Sequence, residues 1–180
     1  MELITERLIL REFVAEDAVA VLAYQSDPRY LPYNRWTDRR LEDVEAFVGM
    51  FLNQQRERPR IKYQLAITHK PDGVLIGNCG VRKQAADAVE AELGYELAPS
   101  HWGHGYATEA ARAMLKFAFQ ELRVHRVAAW CIADNTASAR VLERLGMRLE
   151  GRLREKENFK GRRWDSLIYG ILESERKIDQ

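Results

Sequence analysis

Hydrophobic and polar positions along this chain follow two periods in turn, one suited to strands and one to helices. Residues Arg7 to Phe13 alternate as a half-buried strand does, and Ala15 to Tyr24 follow at helical spacing until Asp27-Pro28 breaks the run. From Asp38 to about Arg58 the apolar residues Leu41, Val44, Phe47, Val48, Phe51 and Leu52 mark one face of a longer helix. Tyr63 to Thr68 and Val74 to Val81 read as strands joined by a Pro71-Asp72-Gly73 turn. Residues 90–97 alternate again and stop at Pro99. Ala107, Ala110, Ala111, Met114, Leu115 and Ala118 then recur at spacings of three and four, which predicts an amphipathic helix over 105–120. A strand over 125–133 and a helix from about Thr136 to Leu145 follow, with Gly146 suited to its C-terminal cap. Leu149 to Phe159 and Trp164 to Glu173 flank Lys160-Gly161-Arg162 as a closing hairpin. Strands and helices alternate without a linker, repeat or low-complexity tract, so the expectation is one mixed α/β domain over residues 1–180.

Composition narrows the function classes. A chain of 180 residues with 46% hydrophobic content can bury one sizeable core. Its 28 Lys and Arg against 27 Asp and Glu give no long-range field favouring nucleic acid or a membrane surface. The N-terminal residues are acidic and lack a long apolar stretch, so no signal peptide is read there, and no segment approaches the ~20 apolar residues of a membrane span. Cys79 and Cys131 lie in strand-like runs, which suits buried, reduced thiols and a cytoplasmic location. No spaced cluster of Cys, His and acidic residues suggests a metal site.

The segment Ser100-His101-Trp102-Gly103-His104-Gly105-Tyr106-Ala107-Thr108-Glu109-Ala110 places two glycines where a strand gives way to a helix. The first turn of a helix offers free N–H groups and a partial positive charge, and glycine lets an anion come close to them. A tight turn with nothing bound uses glycine equally well. The nucleotide-hydrolase loop is excluded, because no Gly-Lys-Ser/Thr follows, and the dinucleotide fingerprint is excluded because its third glycine is missing. The segment resembles the acetyl-CoA loop of the GNAT N-acetyltransferases, Gln/Arg-x-x-Gly-x-Gly/Ala, with Ser100 in place of the Gln/Arg.

That resemblance extends over nearly the whole chain. Thr5-Glu6-Arg7-Leu8-Ile9-Leu10-Arg11, Asn135-x-x-Ser138-x-x-Val141-Leu142-Glu143-x-x-Gly146-Met147, Glu150-Gly151 and the spaced Gly161 and Asp165 are similar to the RimJ/RimL-like branch. The family implies a central, mixed and mostly antiparallel seven-stranded sheet flanked by helices, with the acetyl-CoA loop after the fourth strand. It implies transfer of an acetyl group from acetyl-CoA to a primary amine, on a protein N-terminus or a small molecule, without a metal and without direct nucleic-acid binding. A homodimer is compatible with it. Tyr95, Leu97, Gly103, His104, Gly105, Tyr106, Ala107, Thr108 and Asn135 are the implied cofactor contacts. Tyr33 and Trp36, in the aromatic run 30–36, are the implied acceptor contacts.

The chemistry needs a proton acceptor for the amine, a donor for the thioester oxygen and an acid near the departing sulfur. Many family members place a tyrosine as that acid; here Leu142 occupies the position, and Ser138 is the substitute that RimL-type proteins resemble. A hydroxyl on a buried stripe needs a partner, which a carbonyl one turn back would also supply. Asn135 reads equally as a helix cap and as a cofactor contact. For the base, the resemblance points to Glu157. Glu90, Glu92 and Glu96 share one strand face beside the glycine loop, with Glu92 as the competing base and a solvated face as the alternative for all three. A non-catalytic acyl-CoA-binding or interaction module is the other functional reading, supported by the Ser100 and Leu142 departures.

Overall fold

The computed structural model describes residues 1–176. In chain order the elements are β1 (Glu2–Ile4), β2 (Leu8–Glu12), α1 (Asp17–Gln25), α2 (Leu41–Arg56), β3 (Lys62–His69), β4 (Leu75–Lys83), β5 (Glu90–Leu97), α3 (Tyr106–Gln120), β6 (Arg126–Ile132), α4 (Thr136–Arg144), β7 (Arg148–Phe159) and β8 (Arg162–Leu172). The strands form one sheet in the order β1-β2-β3-β4-β5-β6-β8-β7, antiparallel throughout except between β5 and β6. Eight strands replace the expected seven. The extra one is the three-residue edge strand β1, paired with β2 from Glu2↔Arg11 to Ile4↔Ile9 and too short for alternation to signal.

The sheet has a core on each face. Helices α3 and α4 cover one side, where Ala110, Ala111, Met114 and Ala118 pack on Leu10, Leu65, Leu93 and Val127. Helices α1 and α2 cover the other, where Val21, Val44, Val48 and Phe51 meet Phe13 and Ala66. Leu41, expected on the apolar face of α2, is instead exposed at the first residue of the helix, and burial on that face begins at Val44. Helix α4 stops as its glycine requires: Gly146 has φ +83°, its N–H donates to Glu143 O (2.9 Å), and the Met147 N–H donates to Leu142 O (3.1 Å).

One discontinuity positions the site. Strands β5 and β6 pair only at Glu90↔Arg126, Ala91↔Val127 and Glu92↔Ala128, whereas β6 pairs with β8 along its whole length from Arg126 to Ile132. Beyond Glu92 the two strands part, leaving an open cleft in the sheet. The chain leaves β5 at the mouth of that cleft, passes through the glycine loop and α3, and returns as β6.

Candidate active site

The glycine loop is built to leave donors free. Gly103 and Gly105 have φ of +80° and +81°, a conformation that side chains with a Cβ rarely adopt, and Gly105 is the N-cap of α3 without a side-chain cap. The first intrahelical bond is Glu109 N–H to Gly105 O (3.0 Å). The N–H groups of Tyr106, Ala107 and Thr108 therefore have no partner among the described residues, and the buried Thr108 hydroxyl also has none. These donors at a helix N-terminus fit a diphosphate. A neighbouring cavity of ≈ 490 Å³ is lined by Arg7, Gly105, Thr108, Arg112 and Lys116.

The loop is held from the far end of the chain. Glu109 accepts from Thr5 Oγ1 (2.6 Å), Arg7 N (2.8 Å) and Arg7 Nε (2.7 Å), and Arg7 Nη1 donates to the His104 carbonyl (3.0 Å). The Arg7 guanidinium also lies 4.6 Å from the centroid of the Tyr106 ring. Burial works to raise the Glu109 carboxyl pKa, but the bonds from Thr5 and Arg7 outweigh it and hold the group below its ordinary value. His104 stacks on Tyr106, whereas burial and then the neighbouring His69 lower the pKa of His101 from its ordinary value. Thr5, Arg7 and Glu109 all stand in motifs visible in the sequence, but nothing there pairs positions 102 residues apart.

The cleft leads to a cavity of ≈ 300 Å³ whose walls include Gln64, Asn78, Glu92, Tyr95, Glu96 and Ser138 beneath Phe47, Met50 and Phe51 of α2. Asn135 caps α4: its Oδ1 accepts the Ser138 N–H at 3.1 Å. The Ser138 hydroxyl does not turn back to its own helix but lies 2.9 Å from the Tyr95 phenol oxygen, and that phenol also reaches the Ser138 carbonyl at 3.0 Å. Burial pushes Tyr95 well above its ordinary pKa, opposed by the hydrogen bond with Ser138, so the phenol is protonated throughout the neutral range. Beside them the Cys131 thiol is pushed up to about 11, again by burial. Leu142 is buried in the core, so its departure from the family's tyrosine serves packing.

The three strand glutamates have separate fates. Glu90 is exposed and paired with Arg126, Glu92 lies in the cavity wall at 3.2 Å from Arg82, and Glu96 is half-buried against α1. A solvated face describes Glu90 and in part Glu92, whose side chain is 37% exposed, but not Glu96. Glu157 is outside the cavity lining and is ion-paired with Arg35, at the seam where the aromatic connection meets the final hairpin. Tyr33 belongs to the same seam, edge-on to Trp164 with centroids 5.9 Å apart and donating to Asp134 O (3.0 Å). Trp36 packs 6.3 Å from Tyr30 with the Arg39 guanidinium 4.2 Å from its centroid. Neither aromatic lines the cavity shared by Ser138 and Glu92. No group of three or more His, Cys, Asp or Glu among the described residues could hold a metal ion, and no helix there is long and apolar enough to cross a membrane.

A sheet parted beside a strand–loop–helix with free amides defines an acyl-CoA-type transferase scaffold, and the sequence comparison agrees. Residues 7–148 match the family described as "Acetyltransferase (GNAT) domain", and the chain belongs to that family. It is 33% identical over 178 residues to YnaD of Bacillus subtilis (strain 168), named as an uncharacterised N-acetyltransferase, covering 97% of this chain and 99% of that protein. The crystal structure of a GNAT-family acetyltransferase from Bacillus anthracis superposes with a TM-score of 0.84 at 32% identity, over 97% of this chain and 99% of that one. RimJ of Mycobacterium smegmatis, solved with CoA-disulfide, gives a TM-score of 0.80 at 26% identity over 96% and 84%. The protein is accordingly an acetyl-CoA-dependent acetyltransferase, as the family resemblance of its sequence motifs implied.

Proposed function

We propose that this protein acetylates a primary alkyl amine, on a small molecule or a protein N-terminus, in the manner of the RimJ/RimL-like branch and in the cytoplasm. The observation that carries this reading is the shared cavity: the parted edge of β5, Ser138 and Glu92 border one space. Gly103 to Thr108 hold the cofactor's diphosphate through backbone N–H groups, Tyr95 and Leu97 flank its arm along β5, and the bound thioester supplies an activated acetyl group. RimJ of M. smegmatis, the neighbour solved with CoA-disulfide, supports the cofactor assignment.

An ammonium has no lone pair for attack, so the acceptor must first lose a proton; model α-amines and lysines titrate near about 8 and 10.4. Glu92 is our choice to take it: it lines the cavity that Ser138 borders, on the strand end where β5 and β6 begin to part. At the other end of the reaction Ser138 presents a proton toward the leaving sulfur. The Tyr95 phenol, which keeps its proton, can switch its hydrogen bond from the Ser138 carbonyl to Ser138 Oγ as that hydroxyl turns toward sulfur. Glu157, the base implied by family resemblance, is ion-paired with Arg35 outside this lining, which favours Glu92 as the first choice and leaves Glu157 as the alternative that the test below decides.

The test is thiol release from acetyl-CoA over α-amino peptides, lysyl peptides and small alkyl amines. Ser138→Ala and Tyr95→Phe should lower kcat by 10-fold or more with little change in cofactor affinity, because their bonds strengthen only as charge develops on sulfur. Glu92→Gln should remove the acidic limb of the pH–rate profile; if Glu157→Gln removes it instead, the base assignment is overturned.

A further inference from the structure

Strand β6 alternates cleanly as it enters the cleft. Val127, Ala129 and Cys131 are buried in the core under α3 and α4, so Ala128 and Trp130 point to the opposite face of the sheet. Glu92 shares that face, because it pairs with Ala128 in the last rung before β5 and β6 part. Helices α1 and α2 pack chiefly on β4 and β3, and Trp130 is left 47% exposed in the wall of the cavity that Glu92 and Ser138 share.

The other three tryptophans find their partners within the protein. Trp36 lies beside Tyr30 and Arg39, and its Nε1 donates to Gln25 O (3.4 Å). Trp102 Nε1 donates to Leu97 O (2.7 Å), and Trp164 stacks on Phe159 and donates to its carbonyl (3.3 Å). Trp130 has no ring, guanidinium or hydrogen-bond partner among the described residues. An indole half out of water beside the reacting groups offers a flat apolar surface that a ligand ring can cover.

The inner floor of the cavity is taken up by the protein. The Arg82 and Gln64 side chains lie over Gly94 and Gly80, where an added Cβ would fall 2.4 Å from Arg82 Nη2 and 2.3 Å from Gln64 Oε1. Room for the body of an acceptor therefore lies outward of Glu92, at the mouth, where the exposed apolar side chains are Trp130 of β6 and Met50 of α2. An indole and a thioether both favour an aromatic neighbour. At about 3.3 Å per residue, Trp130 stands about 6.6 Å beyond the Glu92 rung, which a tether of about two or three carbons bridges.

We propose that Trp130, with Met50, selects acceptors that carry an aromatic ring two or three carbons from the primary amine; this deepens, and rests on, the acetyltransferase reading of the cavity. The ring lies against the indole at the mouth while the nitrogen reaches the Glu92 carboxylate inside. Trp130 is thus a specificity-determining residue.

The probes are 2-phenylethylamine and 2-cyclohexylethylamine, titrated calorimetrically into the full chain with coenzyme A present, so that no acetyl group is transferred. Both are cationic at pH 7, so charge cancels from the comparison. The wild-type protein should prefer the aromatic amine by at least about 3-fold, the size of effect that ring stacking adds to apolar burial. Trp130→Ala should abolish the preference, Trp130→Phe should restore most of it, and Val19→Ala, at an exposed position outside the cavity, should leave it intact. Should Trp130→Ala fail to fold by circular dichroism, Trp130→Leu keeps apolar bulk without a ring and should lose the preference too. A wild-type protein indifferent to the ring, or a folded Trp130→Ala or Trp130→Leu variant that keeps the preference, overturns the proposal. Acetyl-CoA is titrated separately into the wild-type protein: absence of binding there refutes the acetyltransferase reading, whereas the ring preference is read from the amines alone.

Discussion

Replacing Glu109 by glutamine asks how much of the loop's order comes from the distant N-terminal segment. The carboxylate takes ionic hydrogen bonds from the Arg7 guanidinium, whose Nη2 is 2.7 Å away, and further bonds from Thr5 and the Arg7 amide. A charge-assisted bond contributes roughly 1.5–3 kcal/mol and a neutral one roughly 0.5–1.5, so glutamine in the same place loses about 2 kcal/mol. The Arg7 side chain is 41% exposed, and screening brings this nearer 1.5 kcal/mol. At about 2.1 cal/mol/K per residue, 180 residues give an unfolding entropy near 0.38 kcal/mol/K, so the melting temperature should fall by about 4 °C. The sign of the pH dependence follows from the lowered native pKa. The charge contributes fully above the ordinary carboxylate value of 4.5 and is lost as pH falls through the lower native value, where wild type and Glu109→Gln should converge. Calorimetric melts from pH 3 to 7 read both effects, and acetyl-CoA titration should show weaker binding because the His104 carbonyl loses its restrained arginine. A melting difference under 1 °C at pH 7, or one that does not shrink on acidification, would refute the reasoning.

Two further perturbations test the backbone. Gly105→Val places a β-branched residue at φ +81° and should weaken acetyl-CoA binding by 10-fold or more; unchanged affinity by calorimetry would exclude the loop as the diphosphate site. Gly80→Ala sets a methyl 2.4 Å from the Tyr63 carbonyl in the middle of the sheet and should cost about 3 kcal/mol, read as a drop of about 8 °C in thermal unfolding.

How far the sequence foretold this depends on whether the determining interaction is local. Helix α3 was legible because its buried alanines and Met114 recur at helical spacing, and the end of α4 was legible because a left-handed residue there needs glycine. The cap at Asn135 is equally local, and of its two readings the structure contains the hydrogen bond to Ser138 N–H. Strand faces could be assigned, so Glu90, Glu92 and Glu96 fall on one side as expected, but which of them lies under a helix depends on where α1 and α2 land. That placement separates a surface ion pair from a cavity carboxylate within seven residues. The partnership of Tyr95 with Ser138 likewise spans 43 positions and arises only from the parting of β5 and β6.

The same parting governs the order in which this molecule can come into being. Residues up to Leu97 supply five strands that each lie beside a sequence neighbour, all paired antiparallel, with α1 and α2 carried in the one long connection between β2 and β3. The second half-sheet, β6 with β8 and β7, is joined to the first by three parallel pairs, and parallel strands meet only after a long crossover has formed. That crossover is the glycine loop and α3. A nascent chain carrying every phosphate-facing amide still lacks the opposite wall of the cleft until β6 is made, so cofactor binding registers completion of the fold. Ligand then stabilises only the finished protein, by RT ln(1 + [L]/Kd), which makes acetyl-CoA supply a determinant of how much folded enzyme persists.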